Sequence, residues 1–515
     1  MPKKRTSSFV TEIPFKVDSA QESELLSKFE AARQLYNACL GEAINRMRLV
    51  RNSEAFKAAL DIPKVNRKER SEAFSAARRA YRYSDYDIQA YATTVANSSK
   101  WIADKIDSNT QQTIAKRAFL ASERVIFGRA KKVRFKVPSR FRSVEGKTNK
   151  QGIRWKDNQL VWGSLKLRPI IDELNPVIMH GLQSPMKSVR ILWRELNGKR
   201  RWYAQLITEG VAYQKEKNYV SNGLIGLDLN ISNIAFVGDK KAGLLPFAEK
   251  IPTYEQEIAA LQRKMQRSQR VSNPDNYEPD FKAKKGRRTV TKQGKVKKGK
   301  RQWKKSSNYR KAAQKKRELQ RKKAAYAKTQ NRKTVNEILR HGKDIKTEKV
   351  FVKGWQKRYG KALAAKSPGF VQSELIRKAE NSGGSVHKFS TQKTALSQTH
   401  LDGSRIKKSL SERVHYDATG VVMHRDLMSA YLSRFVNQDD TLSLQDALNG
   451  YRGAEPLLLE AWQQSKNRKQ VSASESRLIP LERFSDKLKK VNQVAVSSDS
   501  EQEVNPNSQP ESPNF

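Results

Sequence analysis

A single cysteine, Cys39, occurs in the 515-residue chain, so no internal disulfide can form and no multi-cysteine zinc site can be assembled. Histidine is scarce too, at six, which suits chemistry that needs no histidine base. No apolar run approaches the length that spans a bilayer. The opening MPKKRTSSF lacks the apolar stretch of a secretory leader, and its KKR has the composition of an import signal but is more often a solvated charged tail. A reducing, intracellular compartment is expected. Acidic residues are outnumbered, 52 Asp plus Glu against 102 Lys plus Arg, for a formal charge of +50. That excess repels itself unless a polyanion neutralises it, and nucleic acid is the commonest polyanion that tolerates so broad a basic surface. An anionic membrane would call instead for a basic helix backed by a strong apolar face.

The length allows two to four domains and a sizeable core. FVTEIPFKVD, at 8–17, alternates apolar and polar like a strand. From 21 to 130 the pattern is helical, with Leu25, Leu26, Phe29, Leu35, Tyr36 and Leu40 as core candidates. Segment 131–222 is punctuated by Gly, Pro and Lys, and its strand candidates RFKV, GIRWK, QLVWG, SVRILWREL and RWYAQLITEG suggest a small barrel or sandwich. Residues 223–436 form an α/β region with a basic helical insertion at about 253–340. Trp303, Tyr309 and Tyr326 interrupt the insertion's Lys and Arg, a mixture that suits contact with nucleic acid. Strands are expected again at KTEKVFVKG and GGSVHKFST, then a helix at HRDLMSAYLSRFV. Beyond 437 the patterning weakens; DALNGYRGAEPLLLEAWQQ has helical character, but the tail 437–515 is expected to be largely disordered. No internal repeat is evident.

Within GLIGLDLNISNIAFVGD, at 223–239, Asp228 sits inside a strand, where a carboxylate is disfavoured. Glu348 falls on or at the end of another strand, and Asp426 at the start of a helix, where it also suits the helix dipole. Each residue alone has an ordinary explanation. Three acids on separate elements of one α/β layer have a sharper one, as oxygen ligands for two divalent cations. Without metal such a cluster would repel itself and take up protons.

The ordered segments GLDLN, KTEKVFVKGWQKRYGK, SPGFVQSELIRKAENSGG and LSQTHLDGS through SERVHYDATGVVMHRDLMSAYL resemble the RuvC-type nuclease half of the TnpB (OrfB) family of transposon-associated proteins and of the related type V CRISPR effectors. The likeness covers about 223–436, with support from ARQLYNACLGEAINRM. It implies an α/β, RNase H-like (RuvC) nuclease domain, a helical recognition lobe at 21–130, and a small β-barrel wedge domain at 131–222 with its first strand in 1–20. It further implies an RNA-guided DNA endonuclease whose catalytic and metal-binding residues are Asp228, Glu348 and Asp426. Two Mg2+ ions, replaceable by Mn2+, would be its cofactors, and guide RNA and target DNA its partners, without a membrane; the expected location is cytoplasmic, nucleoid-associated in a prokaryote. The chain departs from the family pattern at 392–422, where a four-cysteine zinc ribbon is usual. His400, Asp402, His415 and Asp417 repeat an HxD pair of metal-binding residue types, but a metal-free loop without structural zinc is the expectation. The alternatives are a nuclease-inactive, RNA-guided DNA-binding protein, a transposase proper, and a basic RNA-associated protein.

Overall fold

The computed structural model describes residues 7–249, 254–286, 288–299, 302–409 and 412–477, which separate into two compact units divided between Tyr213 and Gln214. No helix among the described residues is long and apolar enough to cross a membrane.

The first unit opens with strand β1 (Ser8–Phe15) and helices α1 (Ser19–Asn52), α2 (Glu54–Asp61), α3 (Arg67–Ala80), α4 (Asp85–Ser98), α5 (Lys100–Lys105) and α6 (Ser108–Ile126). Short strands β2 (Ser143–Glu145), β3 (Ile153–Lys156), β4 (Gln159–Trp162) and β5 (Leu165–Leu167) follow, then α7 (Pro176–Gln183) and the long pair β6 (Met186–Leu196) and β7 (Lys199–Glu209). Asp18 starts α1 through a capping box with Gln21, which satisfies backbone donors that the first turn would otherwise leave open. Leu25, Phe29, Leu35, Tyr36 and Leu40 of α1 then pack with Ile114 and Phe119 of α6 and with Trp162 and Trp202. Leu26 falls off that stripe and is 38% exposed.

Among the described residues, the strands of this unit do not close into the expected barrel. Four pair in the order β1-β7-β6-β2, and three more in the order β3-β4-β5. Phe15 and Pro169 form one isolated bridge, and Ile170 donates to the Pro14 carbonyl beside it. Pro14 has no N–H with which to return that bond, so the pairing stays single there and does not lengthen into a ladder. RFKV, expected as a strand, is irregular; Asn37 holds both backbone polar groups of Lys136 at 2.8 and 2.9 Å.

The second unit is built on β8 (Leu224–Leu229), β9 (Asn233–Val237) and β10 (Ala242–Pro246). Its inserted part comprises α8 (Glu255–Val271), the hairpin β11 (Phe281–Lys285) and β12 (Arg288–Lys292), and α9 (Ser307–Leu339). Then come β13 (Asp344–Glu348), α10 (Gln356–Lys366), α11 (Pro368–Asn381), β14 (Val386–Phe389), α12 (Thr391–Thr394), the hairpin β15 (Val414–Tyr416) and β16 (Val422–His424), α13 (Arg425–Ser433) and α14 (Leu444–Arg477). The main sheet runs β10-β9-β8-β13-β14. β8, β9 and β10 are antiparallel neighbours, whereas β13 lies parallel to both β8 and β14. Both faces are covered. Ile225, Leu227, Leu229, Ile234 and Phe236 meet Val335, Ile338 and Leu339 of α9 and Val371 and Leu375 of α11. Ala235, Val237 and Leu244 meet Leu427, Met428 and Tyr431 of α13 and Tyr451 and Leu458 of α14.

Two expectations are corrected here. The chain leaves the sheet after Glu348, where Val350 N–H turns back to the Glu348 carbonyl, so VFVKG is not strand and Phe351 is 71% exposed. The tail is ordered at its start, because Ala447, Tyr451, Ala454, Leu458 and Ala461 recur at three- and four-residue spacing and bury against α13. The remainder of the expected tail, 478–515, lies outside the described residues.

Candidate active site

The two faces of β8 have different partners. Ile225, Leu227 and Leu229 enter the core beneath the sheet, so the pleat turns Gly226 and Asp228 to the side of α13. At Gly226 the helix passes directly overhead: a Cβ there would lie 2.0 Å from the Ala430 carbonyl oxygen and 2.4 Å from Ser433 Oγ. Two residues along a strand and one turn back along a helix each advance about 6 Å. Moving by that step from the crossing reaches Asp228 on the strand and Asp426 on the helix. β13 adds the third acid, because Lys346 registers with Gly226 and Thr347 with Leu227, which sets Glu348 beside Asp228 with the same facing. α13 begins at this point because His424 caps it, Nδ1 accepting from the Asp426 N–H at 3.2 Å. The fold thus brings together all three acids expected from the sequence, and they line one open cleft of about 400 Å3.

Their electrostatics are mutually opposed. Burial raises the Asp228 carboxyl well above the ordinary range, and the charges of Asp426 and Glu348 push it in the same direction. Asn230 Nδ2, 3.4 Å from Asp228 Oδ2, and the Arg425 guanidinium pull weakly the other way. Glu348 is pushed up to about 7 by burial. Asp426 is 2% exposed, and its Oδ2 is buried without a hydrogen-bond partner. The cations beside it stand off, Arg413 Nη1 at 3.7 Å from Oδ2 and Arg425 Nε at 3.8 Å from Oδ1. Three carboxylates lining one cleft, one with an orphaned oxygen, are the kind of hard oxygen donors that a divalent cation such as Mg2+ or Mn2+ takes.

Other residues of the cleft gave no distinct signal in the sequence. Phe351 and Trp355 edge it, Lys408 and Arg425 line it, and Ser429 stands one helical turn beyond Asp426 with a buried hydroxyl that has no partner. Arg425 also donates to the Ser409 carbonyl at 2.9 Å, tying the loop that carries Lys408 to the start of α13. Only Arg425, adjacent to the expected acid within HRD, was within reach of sequence reasoning.

No family model matches the chain, and neither does any curated protein sequence. Among solved structures it is similar to a chain of "Cryo-EM structure of the Cas12f1-sgRNA-target DNA complex", with 10% identity and a TM-score of 0.38, covering 84% of this chain and 99% of that one. It is also similar to a chain of "Cryo-EM structure of CRISPR-Cas12f Ternary Complex", with 11% identity and a TM-score of 0.24, covering 80% and 81% respectively.

The repeated HxD pairs are only partly brought together. His400, His415 and Asp417 are buried, with one candidate ligand atom from each within 4.8 Å of the others. Asp402 is exposed and bonded instead to its own turn, accepting from Ser404 N and Oγ. Asp417 is fully engaged: Oδ1 accepts from Thr419 N and Oγ1, and Oδ2 from Leu401 N at 3.0 Å and His415 Nε2 at 2.9 Å. His400 Nδ1 accepts from Ala418 N at 2.8 Å. A cation at this cluster would have to displace hydrogen bonds that the protein already makes.

In the inserted part, α8 buries no residue and lies along α9, and the hairpin of β11 and β12 emerges from the most basic stretch. Trp303 packs edge-on against Tyr277 at 5.9 Å, and Arg270 stacks on the same tyrosine at 4.2 Å. That tryptophan is therefore part of a local cluster, whereas Tyr326 is 48% exposed.

Proposed function

We propose that this protein is an RNA-guided, metal-dependent DNA endonuclease with an RNase H-like (RuvC) nuclease domain, of the TnpB kind. One observation carries the reading. Asp228, Glu348 and Asp426, from β8, β13 and α13, line a single cleft in which one carboxylate oxygen is buried without a partner. Asp228 and Glu348, side by side at the ends of parallel strands, and Asp426 above them would hold two Mg2+ ions. Bound there, the pair of ions would make an attacking water more nucleophilic and stabilise the charge on the leaving oxygen of a phosphodiester.

The strand order β10-β9-β8-β13-β14, antiparallel at one edge and parallel at the other, supports the RNase H-like assignment. A cleft edged by Phe351 and Trp355 suits a separated strand, since unpaired bases can stack on such rings. Guide RNA and target DNA as partners follow from the sequence resemblance and from the charge of +50. Base pairing with the guide would supply sequence specificity, and the protein would grip the backbone. A binding-only protein would have no use for three self-repelling acids at the price of their desolvation.

The deciding experiment is to purify the protein with its co-bound RNA, sequence that RNA, and incubate the complex with a matching duplex with and without Mg2+. Cleavage that requires the metal is expected. A bound guide with an intact duplex would favour the binding-only alternative.

A further inference from the structure

We propose that Lys408 is a phosphate-contacting residue of the carboxylate cleft, aimed by His415, which Asp417 in turn anchors. The inference rests on the nuclease reading above and adds a residue that the three acids do not imply.

Lys408 lines the cleft that holds Asp228, Glu348 and Asp426. Its ammonium lies 2.6 Å from His415 Nδ1, and His415 Nε2 lies 2.9 Å from Asp417 Oδ2. The polarity of the chain is set by what each group can donate. An ammonium only donates and a carboxylate only accepts, so the imidazole between them must accept at Nδ1 and carry its proton on Nε2. Burial supports that form by pushing the imidazole down, towards neutrality. Against the opposing effect of burial, bonds from His415, Thr419 and Leu401 hold the Asp417 carboxyl below its ordinary range, as the anchoring anion.

This arrangement differs from an ion pair in a way that matters for substrate. Lys408 hydrogen-bonds to a neutral ring, so the bond fixes the ammonium without cancelling its charge. Among the described residues one of its three protons is used, and two remain for the oxygens of a phosphate. Burial pulls the Lys408 ammonium below its ordinary range, the charges of Asp417 and Glu412 oppose that, and Arg425 adds to it. Asp417 is itself held rigidly, by Leu401 on one turn and Thr419 on the other. The residues standing where a zinc ribbon would be expected would then do a different task, fixing a cation at the rim of the acids. In this scheme Lys408 touches substrate, and His415 is a positioning residue.

The test uses the full-length protein with its co-purified RNA, a matching duplex in Mg2+, and single-turnover cleavage at saturating protein. Lys408→Met is expected to slow cleavage by about a hundredfold, the low end of what loss of one preorganised donor costs. Duplex binding should stay within about twofold, because many other cations share it. Lys408→Arg should recover part of the rate. His415→Gln should slow cleavage in the parent but have little further effect in the Lys408→Met background, since a residue acting through Lys408 cannot act once Lys408 is gone. A purely structural role would instead add its loss to that of Lys408→Met. Parental cleavage by Lys408→Met while Asp228→Ala is inactive overturns the proposal and leaves the nuclease reading intact. Additive losses in the double variant remove His415 from the scheme, and absence of cleavage by the parent sinks both readings.

Discussion

Glu348 makes the pH dependence of stability a direct probe of the clustered acids. In metal-free buffer its folded-state carboxyl titrates near 7 against an ordinary value of 4.5, because burial disfavours the charged form. Below about 4.5 both the folded and unfolded chains hold the proton, and no penalty arises. Between about 4.5 and 7 the unfolded chain releases the proton while the folded chain retains it, so stability falls as pH rises, by up to about 1.4 kcal/mol per pH unit. Above 7 the deficit is constant, with a ceiling of about 3 kcal/mol for this one group. Glu348→Gln keeps a side chain of similar shape but cannot ionise, so its stability should be flat across that window. The gap between the two proteins should be small at pH 5 and open in favour of the variant by pH 8. For a unit of this size, 3 kcal/mol corresponds to a rise of about 6 to 12 °C in Tm. Thermal denaturation in EDTA at half-unit steps of pH measures it. Parallel Tm curves for the two proteins from pH 5 to 8 would refute the buried, proton-retaining Glu348 on which the electrostatic description depends.

Asp228→Ala should abolish Mg2+-dependent cleavage while duplex retention in a filter-binding assay changes by less than about twofold, because binding rests on the distributed cationic surface; cutting at the parental rate would remove Asp228 from the chemistry. Gly226→Ala forces a methyl against the Ala430 carbonyl, so α13 must shift from β8. A loss of about 1–3 kcal/mol or more is expected in urea denaturation, together with slower cleavage from misplaced acids, and an unchanged midpoint would contradict the crossing. Phe351→Ala should weaken the binding of single-stranded DNA by about 1–3 kcal/mol if one base stacks on that exposed ring. Fluorescence anisotropy with a labelled oligothymidine reads it, and an equal affinity would argue against stacking there.

Much of the second unit was legible because its local signals agree with one another. Asp228 stood out as a carboxylate inside an apolar strand, and the HRD segment that begins α13 announces a helix start with an acid in its first turn. The barrel expected from the short strands of the first unit was not legible, since alternation predicts strands but says nothing about which edges meet. Pro14 meets Ile170 only after folding, and only then does its missing donor limit the seam. The helix of the tail was under-read for a related reason: Tyr451 and Leu458 look unremarkable among polar neighbours until α13 supplies the surface that buries them.

Composition by itself determined a basic, cysteine-poor chain, and apolar spacing determined most of its helices and strands, because both depend on residues close in sequence. Tertiary structure decided everything that required distant residues to meet. It carried Asp228, Glu348 and Asp426 into one cleft through the strand register and the close crossing at Gly226. It set Lys408 on the His415 ring and turned Asp402 away from the cluster that its HxD repeat suggested. Periodicity fixes which face a side chain occupies, but only packing between separate elements sets the distance between charges, and that distance is what shifts their proton affinities and makes a site.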